Sequence, residues 1–278
     1  MDIGIGLPST IPGFTGAEVV EWSRRAEAEG FSSLAVLDRL VYGNGDPLTV
    51  LAAAASVTVR IGLATTVLVA PYRPSATLLA KQAATVDHLS GGRLTLGLGV
   101  GGRADDFEAT GASYHDRGQR FPALVKEMRA AWSSPEIGPA QPSIPILLGA
   151  RADPAIHRVG ELADGWIATG GRADMFSALA PKVHESWAAH ARPGSPRMTA
   201  IAYFALGAQG ADDAREHLLD YYDFLGEFAR FTAANALTTP EAVRDAVDAF
   251  TAAGCDELVL HPCSANPDQV TLLAKALS

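Results

Sequence analysis

With 278 residues, 48% of them hydrophobic, the chain can build one large core or two small ones, and α/β barrels commonly close at about 250 residues as one domain. A formal charge of −9 and a pI near 5.2 argue against a nucleic-acid partner, which needs a basic face. No apolar run reaches the roughly 18 residues of a membrane span, the start (MDIGIGLPST) lacks the build of a secretory signal, and Cys255 and Cys263 make no disulfide framework, so the expectation is a reduced, cytoplasmic protein.

In chain order, strands are predicted at Ile3–Leu7, Ser33–Leu37, Arg60–Val69, Leu94–Val100, Ile144–Leu148, Trp166–Thr169, Met198–Leu206 and Glu257–Leu260. Helical spacing fills the intervals: Gly16–Glu29, Pro47–Ser56, Pro74–Leu89, Gln119–Trp132, Asp153–Leu162, Ala173–Ala191, Ala211–Phe231 with Pro240–Ala253, and Pro267–Leu277. Thr239-Pro240-Glu241, Asp153-Pro154 and Asn266-Pro267-Asp268 carry helix-start chemistry: a cap, a proline at the first position and an acid in the first turn. Ser133–Ser143, with three prolines, and Thr232–Thr238 are expected as loops. Eight strands, each followed by a helix, predict a single-domain (β/α)8 TIM barrel over residues 1–278.

Lys81–Gly102 (KQAATVDHLSGGRLTLGLGVGG) is the most informative stretch: a helix stopped at Gly91-Gly92, then a buried strand with alternating glycines. Alternating glycines clear one face of a strand for another backbone or a flat ligand, which makes Gly99 a candidate cofactor contact. Gly97, Gly99 and Gly102 also satisfy GxGxxG, but the following RADDFEATG looks more like a polar loop than the helix start a dinucleotide site requires.

A barrel places its site at the C-terminal strand ends. Those ends hold Asp38-Arg39, Thr65-Thr66, Gly101-Gly102-Arg103, Gly149-Ala150-Arg151 and Thr169-Gly170-Gly171-Arg172: glycines, hydroxyls and arginines suited to a phosphate and a flat polar ring. All four lysines fall on predicted helices, and no HxH, HExxH, GxSxG or Walker spacing occurs, so Schiff-base, metal and serine-nucleophile chemistry are disfavoured and no metal is expected. Binding groups without a nucleophile point to a cofactor that carries the chemistry.

LSGGRLTLGLG, with AEAEGFSSLAVLDR (Ala26–Arg39), RIGLATTVLVAPYRPSATLLAKQ (Arg60–Gln82), IPILLGARADPAIHRVGELADGWIA (Ile144–Ala168) and LTTPEAVRDAVDAFTAAGCDELVL (Leu237–Leu260), resembles the luciferase-like flavin and deazaflavin oxidoreductases across most of the chain. The resemblance implies a (β/α)8 barrel binding reduced FMN or coenzyme F420. It places Asp38 at the ring pocket and Thr65 and Thr66 at a third-strand bulge under the ring, often with a cis peptide. Gly149 and Ala150 fall beside the phosphate, with Gly170 and Gly171 as further neighbours. Many members have histidine after the second-strand aspartate; here it is Arg39, which cannot act as a base but can stabilise negative charge, so Arg39 and Asp38 are the catalytic candidates. Arg103, Arg151 and Arg172 would supply a basic track for an acidic tail. The chain is also short between the fourth and fifth strands, which implies a more open pocket.

Two mechanisms follow. Reduced FMN from a partner flavin reductase, with O2, would make this a monooxygenase of a small organic substrate; this reading needs fewer extra sites and is preferred at this stage. The alternative is F420-dependent hydride transfer. Rivals are a non-catalytic flavin-binding protein and a sugar-phosphate barrel enzyme. The resemblance also implies a homodimer through the small apolar run Leu48–Ala55.

Overall fold

Strands of a parallel barrel are covered on both faces, so their side chains need not alternate in polarity. Ser33–Val36 and Gly165–Ala168 are accordingly buried at every position. The computed structural model describes residues 1–139 and 144–278; the last four residues of the proline-rich loop predicted at Ser133–Ser143 lie outside them. Eight parallel strands close in sequence order: β1 (Asp2–Gly6), β2 (Ser33–Val36), β3 (Gly62–Val69), β4 (Leu94–Gly99), β5 (Ile146–Gly149), β6 (Gly165–Ala168), β7 (Arg197–Phe204) and β8 (Glu257–Pro262), with β8 pairing back onto β1. This is the predicted TIM barrel.

The helices form an outer layer: α1 (Gly16–Ala28), α2 (Pro47–Ala55), α3 (Ala76–Ser90), α4 (Ala104–Thr110), α5 (Arg117–Trp132), α6 (Asp153–Leu162), α7 (Ala173–Ala189), α8 (Gly210–Tyr221), α9 (Glu227–Ala234), α10 (Pro240–Ala252) and α11 (Asp268–Leu277). Local chemistry sets their ends. Thr15 and Glu18 form a reciprocal capping box on α1, Thr239 caps α10, and Gly91 closes α3 in the left-handed region at φ 73°. Among the described residues no helix is long and apolar enough to cross a membrane. On α2, Leu48, Val50, Leu51, Ala54 and Ala55 are buried, while Thr49 and Ala53 are exposed, so most of LTVLAAAA faces inward.

Four expectations need correction. The strand predicted from Arg60 starts at Gly62, because the N–H groups of Val59, Arg60 and Ile61 all donate to the Glu27 carboxylate instead of a ladder. RADDFEATG is not a loop: Asp105 and Asp106 sit in the first turn of α4, where acids are favoured, and Gly111 ends it. The helix predicted at Ala211–Phe231 breaks into α8, a short 3-10 turn (Asp223–Leu225) and α9, because Gly226 takes φ 54° and ψ −115°. The loop predicted at Thr232–Thr238 is partly helical, since α9 runs to Ala234, and Leu237 beyond it bridges to Phe204.

Candidate functional site

The site begins with a disturbance in β3. Pairing of β3 with β4 runs Thr65↔Leu96, then resumes at Leu68↔Leu98, so Thr66 and Val67 bulge opposite Gly97. The Thr66–Val67 peptide is cis. A Cβ on Gly97 would lie 2.0 Å from the Thr65 carbonyl oxygen, one on Gly99 2.6 Å from Val67 Cγ2, and one on Gly149 2.9 Å from Val67 Cγ1. The glycines of β4 and β5 therefore clear the space that the bulge fills. The close approach foreseen at Gly97 and Gly99 is that of a neighbouring strand, not a flat ligand.

Above the bulge lies a cavity of about 240 Å³ at the C-terminal strand ends. Its floor is Leu37, Thr66, Val67, Ile201 and Tyr203. Tyr221, Tyr222, Phe224, Leu225, Phe228 and Thr232, from the stretch after β7, cover it. The openness expected from the short β4–β5 connection is thus reduced from elsewhere in the chain. These aromatics are the residues the strand-end reading missed. A signal existed: YYDFLGEFARF (221–231) holds five of the chain's twenty Phe, Tyr and Trp residues.

Of the candidate residues, Asp38, Thr66, Arg103, Arg151 and Gly170 line this cavity. The Asp38 carboxylate accepts from Val69 N at 2.8 Å and from Arg73 Nη1 at 2.7 Å. Arg39 turns away from the lining: its Nη1 donates to the Tyr221 carbonyl at 3.0 Å, and its guanidinium lies 4.2 Å from the Tyr42 ring centroid. Thr65 is also off the cavity, donating from Oγ1 to the Gly97 carbonyl at 2.7 Å. Gly99 and Gly149 sit against Val67, and Ala150 is buried, its carbonyl accepting from Trp166 Nε1. Gly171, at φ 73°, lies outside the lining. Arg172 is engaged by Asp174 and Asn235 and leaves the proposed basic track to Arg103 and Arg151.

Thr66 Oγ1 shares a 2.8 Å hydrogen bond with His261 Nε2 beneath the floor. Burial, with a smaller contribution from His217, pushes His261 down to about 3; burial outweighs Asp220 to push His217 down to about 4. Both rings are therefore neutral in the folded protein, whereas they protonate near pH 6.5 when unfolded. Stability from this source is complete above pH 6.5 and is lost as pH falls toward the folded values, by up to about 1.4 kcal/mol per pH unit for each ring. Urea denaturation at pH 7, 6 and 5 is expected to follow that decline; a flat profile would mean the fold tolerates the charged rings.

Tyr203 and Tyr222 hydrogen-bond through their hydroxyls at the cavity wall, and burial raises both well into the neutral form. Asp106 accepts from the backbone N–H of Leu40 and Val41, tying the first turn of α4 to the loop after β2. The described lining contains no serine, cysteine, lysine or histidine.

A (β/α)8 barrel with an aromatic-covered cavity at the C-terminal ends of its strands has the build of a barrel enzyme's active site. The chain belongs to the family described as luciferase-like monooxygenase, which matches residues 1–272. An uncharacterized protein of Mycobacterium tuberculosis is 34% identical over 173 residues, covering 56% of this chain and 61% of the relative. The F420-dependent glucose-6-phosphate dehydrogenase of Amycolatopsis mediterranei is 27% identical over 193 residues, covering 60% of this chain and 58% of that protein. Among solved structures, an F420-dependent secondary alcohol dehydrogenase superposes with a TM-score of 0.82 at 17% identity, covering 99% of this chain and 98% of the other.

Proposed function

We propose that this protein is an F420-dependent oxidoreductase that transfers a hydride to or from a small organic substrate. The observation that carries the reading is the sequence match to an F420-dependent dehydrogenase over 60% of the chain, with a second F420 enzyme sharing the fold. It takes precedence over the preference for reduced FMN drawn from the sequence.

The residues present fit such a cofactor. Val67, held up by the glycine-cleared bulge, gives an apolar platform for a planar ring. Exposed Arg151 and half-buried Gly170, just past the ends of β5 and β6, suit an acidic tail. When bound, F420 supplies the two-electron donor or acceptor. The aromatic cover excludes water from the platform. Between the Tyr203 and Tyr222 hydroxyls one proton is used in their mutual bond, which leaves the other for an oxygen of the substrate.

Fluorescence titration with F420 and with reduced FMN tests the proposal. F420 is expected to bind in the low micromolar range and reduced FMN far more weakly; the reverse order would favour oxygen chemistry. Arg151→Gln is expected to weaken F420 binding about tenfold and to flatten its salt dependence. Unchanged affinity would remove Arg151 from the tail site.

A further inference from the structure

Two guanidinium groups converge on one carbonyl oxygen: Arg39 Nη1 and Arg103 Nη2 both donate to Tyr221 O. Each arginine is only 8% exposed. Neither forms an ion pair among the described residues, and the two carboxylates lining the cavity are engaged elsewhere, Asp38 by Arg73 and Asp106 by backbone N–H groups. A single carbonyl dipole is poor compensation for two buried cations. Burial, and then the neighbouring Arg39 charge, push Arg103 below the usual guanidinium range.

Arg103 alone of the two lines the cavity. Its guanidinium lies 3.8 Å from the Phe224 ring centroid, and its Nη1 is buried with no hydrogen-bond partner among the described residues. A buried charged donor without an acceptor is costly unless a ligand supplies one. Nη2 is already committed, so the free donor suits a carboxylate better than the several oxygens of a phosphate.

We propose that this corner of the cavity binds a carboxylate of the substrate through Arg103 Nη1, so that the enzyme acts on small organic acids. Assigning the carboxylate to the substrate rests on the F420 reading: Arg151, against Phe228 at the end of β5, gives the acidic cofactor tail a cation of its own. Arg39 is a positioning residue, holding the Tyr221 carbonyl that orients Arg103.

The test uses the full chain and the pair benzoate and benzamide, titrated calorimetrically without and with saturating F420. Benzoate is expected to bind about thirtyfold more tightly than benzamide, and Arg103→Met to remove that preference while leaving benzamide within about twofold. Arg103→Lys should restore part of it. Circular dichroism melting checks that Arg103→Met folds; should it not, the wild-type ratio and Arg103→Lys decide. Equal affinities, no benzoate binding at millimolar concentration, or an undiminished preference in the variants would overturn the acid site. Displacement of benzoate by F420 would give the contact to the cofactor tail and overturn the substrate assignment. Benzoate binding without any F420 binding would overturn the cofactor reading and leave the acid site standing.

Discussion

Replacing Asp38 with alanine is expected to cost about 3–5 kcal/mol of stability, the scale for removing one partner of a buried ion pair. The Asp38 side chain is 2% exposed and that of Arg73 is 13% exposed, with their charged atoms 2.7 Å apart. The same carboxylate accepts from Val69 N, and Arg73 Nη1 also donates to the Val69 carbonyl at 2.8 Å, so the pair clamps the end of β3. Its loss would strand Arg73 with, among the described residues, only the exposed Asp46, 3.6 Å away, as a charge partner. Asp38→Ala with Arg73→Met should be less destabilising than Asp38→Ala alone, since no uncompensated charge remains. Chemical denaturation of the three variants checks this; an Asp38→Ala change under about 1 kcal/mol would show that the clamp does not hold the strand.

Gly97→Ala is expected to cost about 3 kcal/mol and to abolish F420 binding, because the new methyl meets backbone rather than a movable side chain. The Thr65 carbonyl, 2.0 Å from that Cβ, belongs to a strand paired on both sides, and Ile167 Cδ1 stands 2.6 Å from the same Cβ. Relief requires the bulge itself to shift, and with it Thr66 and Val67 on the cavity floor. Gly99→Ala is the matched control: its methyl meets Val67 Cγ2, a side-chain atom, so the stability loss should be smaller while the floor still changes shape. Denaturation and F420 titration on both proteins separate the effects. Wild-type behaviour of Gly97→Ala would mean that the bulge can move freely.

Strand positions were legible because burial on both faces turns each barrel strand into a short apolar run. Helix starts were legible where one side chain does the capping, as at Thr239, whose Oγ1 accepts from Ala242 N. At Asp153-Pro154 the same signal was displaced by one residue, with Ala152 as the cap. The glycine alternation in β4 announced a close approach but could not identify what approached, since Thr65 and Val67 come from another strand. Asp38 and Arg39 were placed correctly beyond a strand end, yet only Asp38 reaches the cavity, because the Arg39 guanidinium is drawn to the Tyr221 carbonyl. The contacts of Arg39 and Arg103 with Tyr221 span 182 and 118 positions, far beyond any local pattern. The roof escaped because its aromatics follow a glycine-broken helix rather than a strand.

That roof is contributed by one uninterrupted piece of chain, residues 221–234, while the platform beneath it is assembled from separate strands. The two arginines that moor the piece grip the main-chain oxygen of its first residue, and each guanidinium also lies 5.6 Å from the Tyr221 ring centroid, so an aromatic there adds to the mooring. The cover and the platform of the cavity are therefore written in different parts of the sequence. A relative's counterpart of this piece could be transplanted as a cassette, exchanging the shape of the cover while the barrel beneath it, Arg103 included, stays the same.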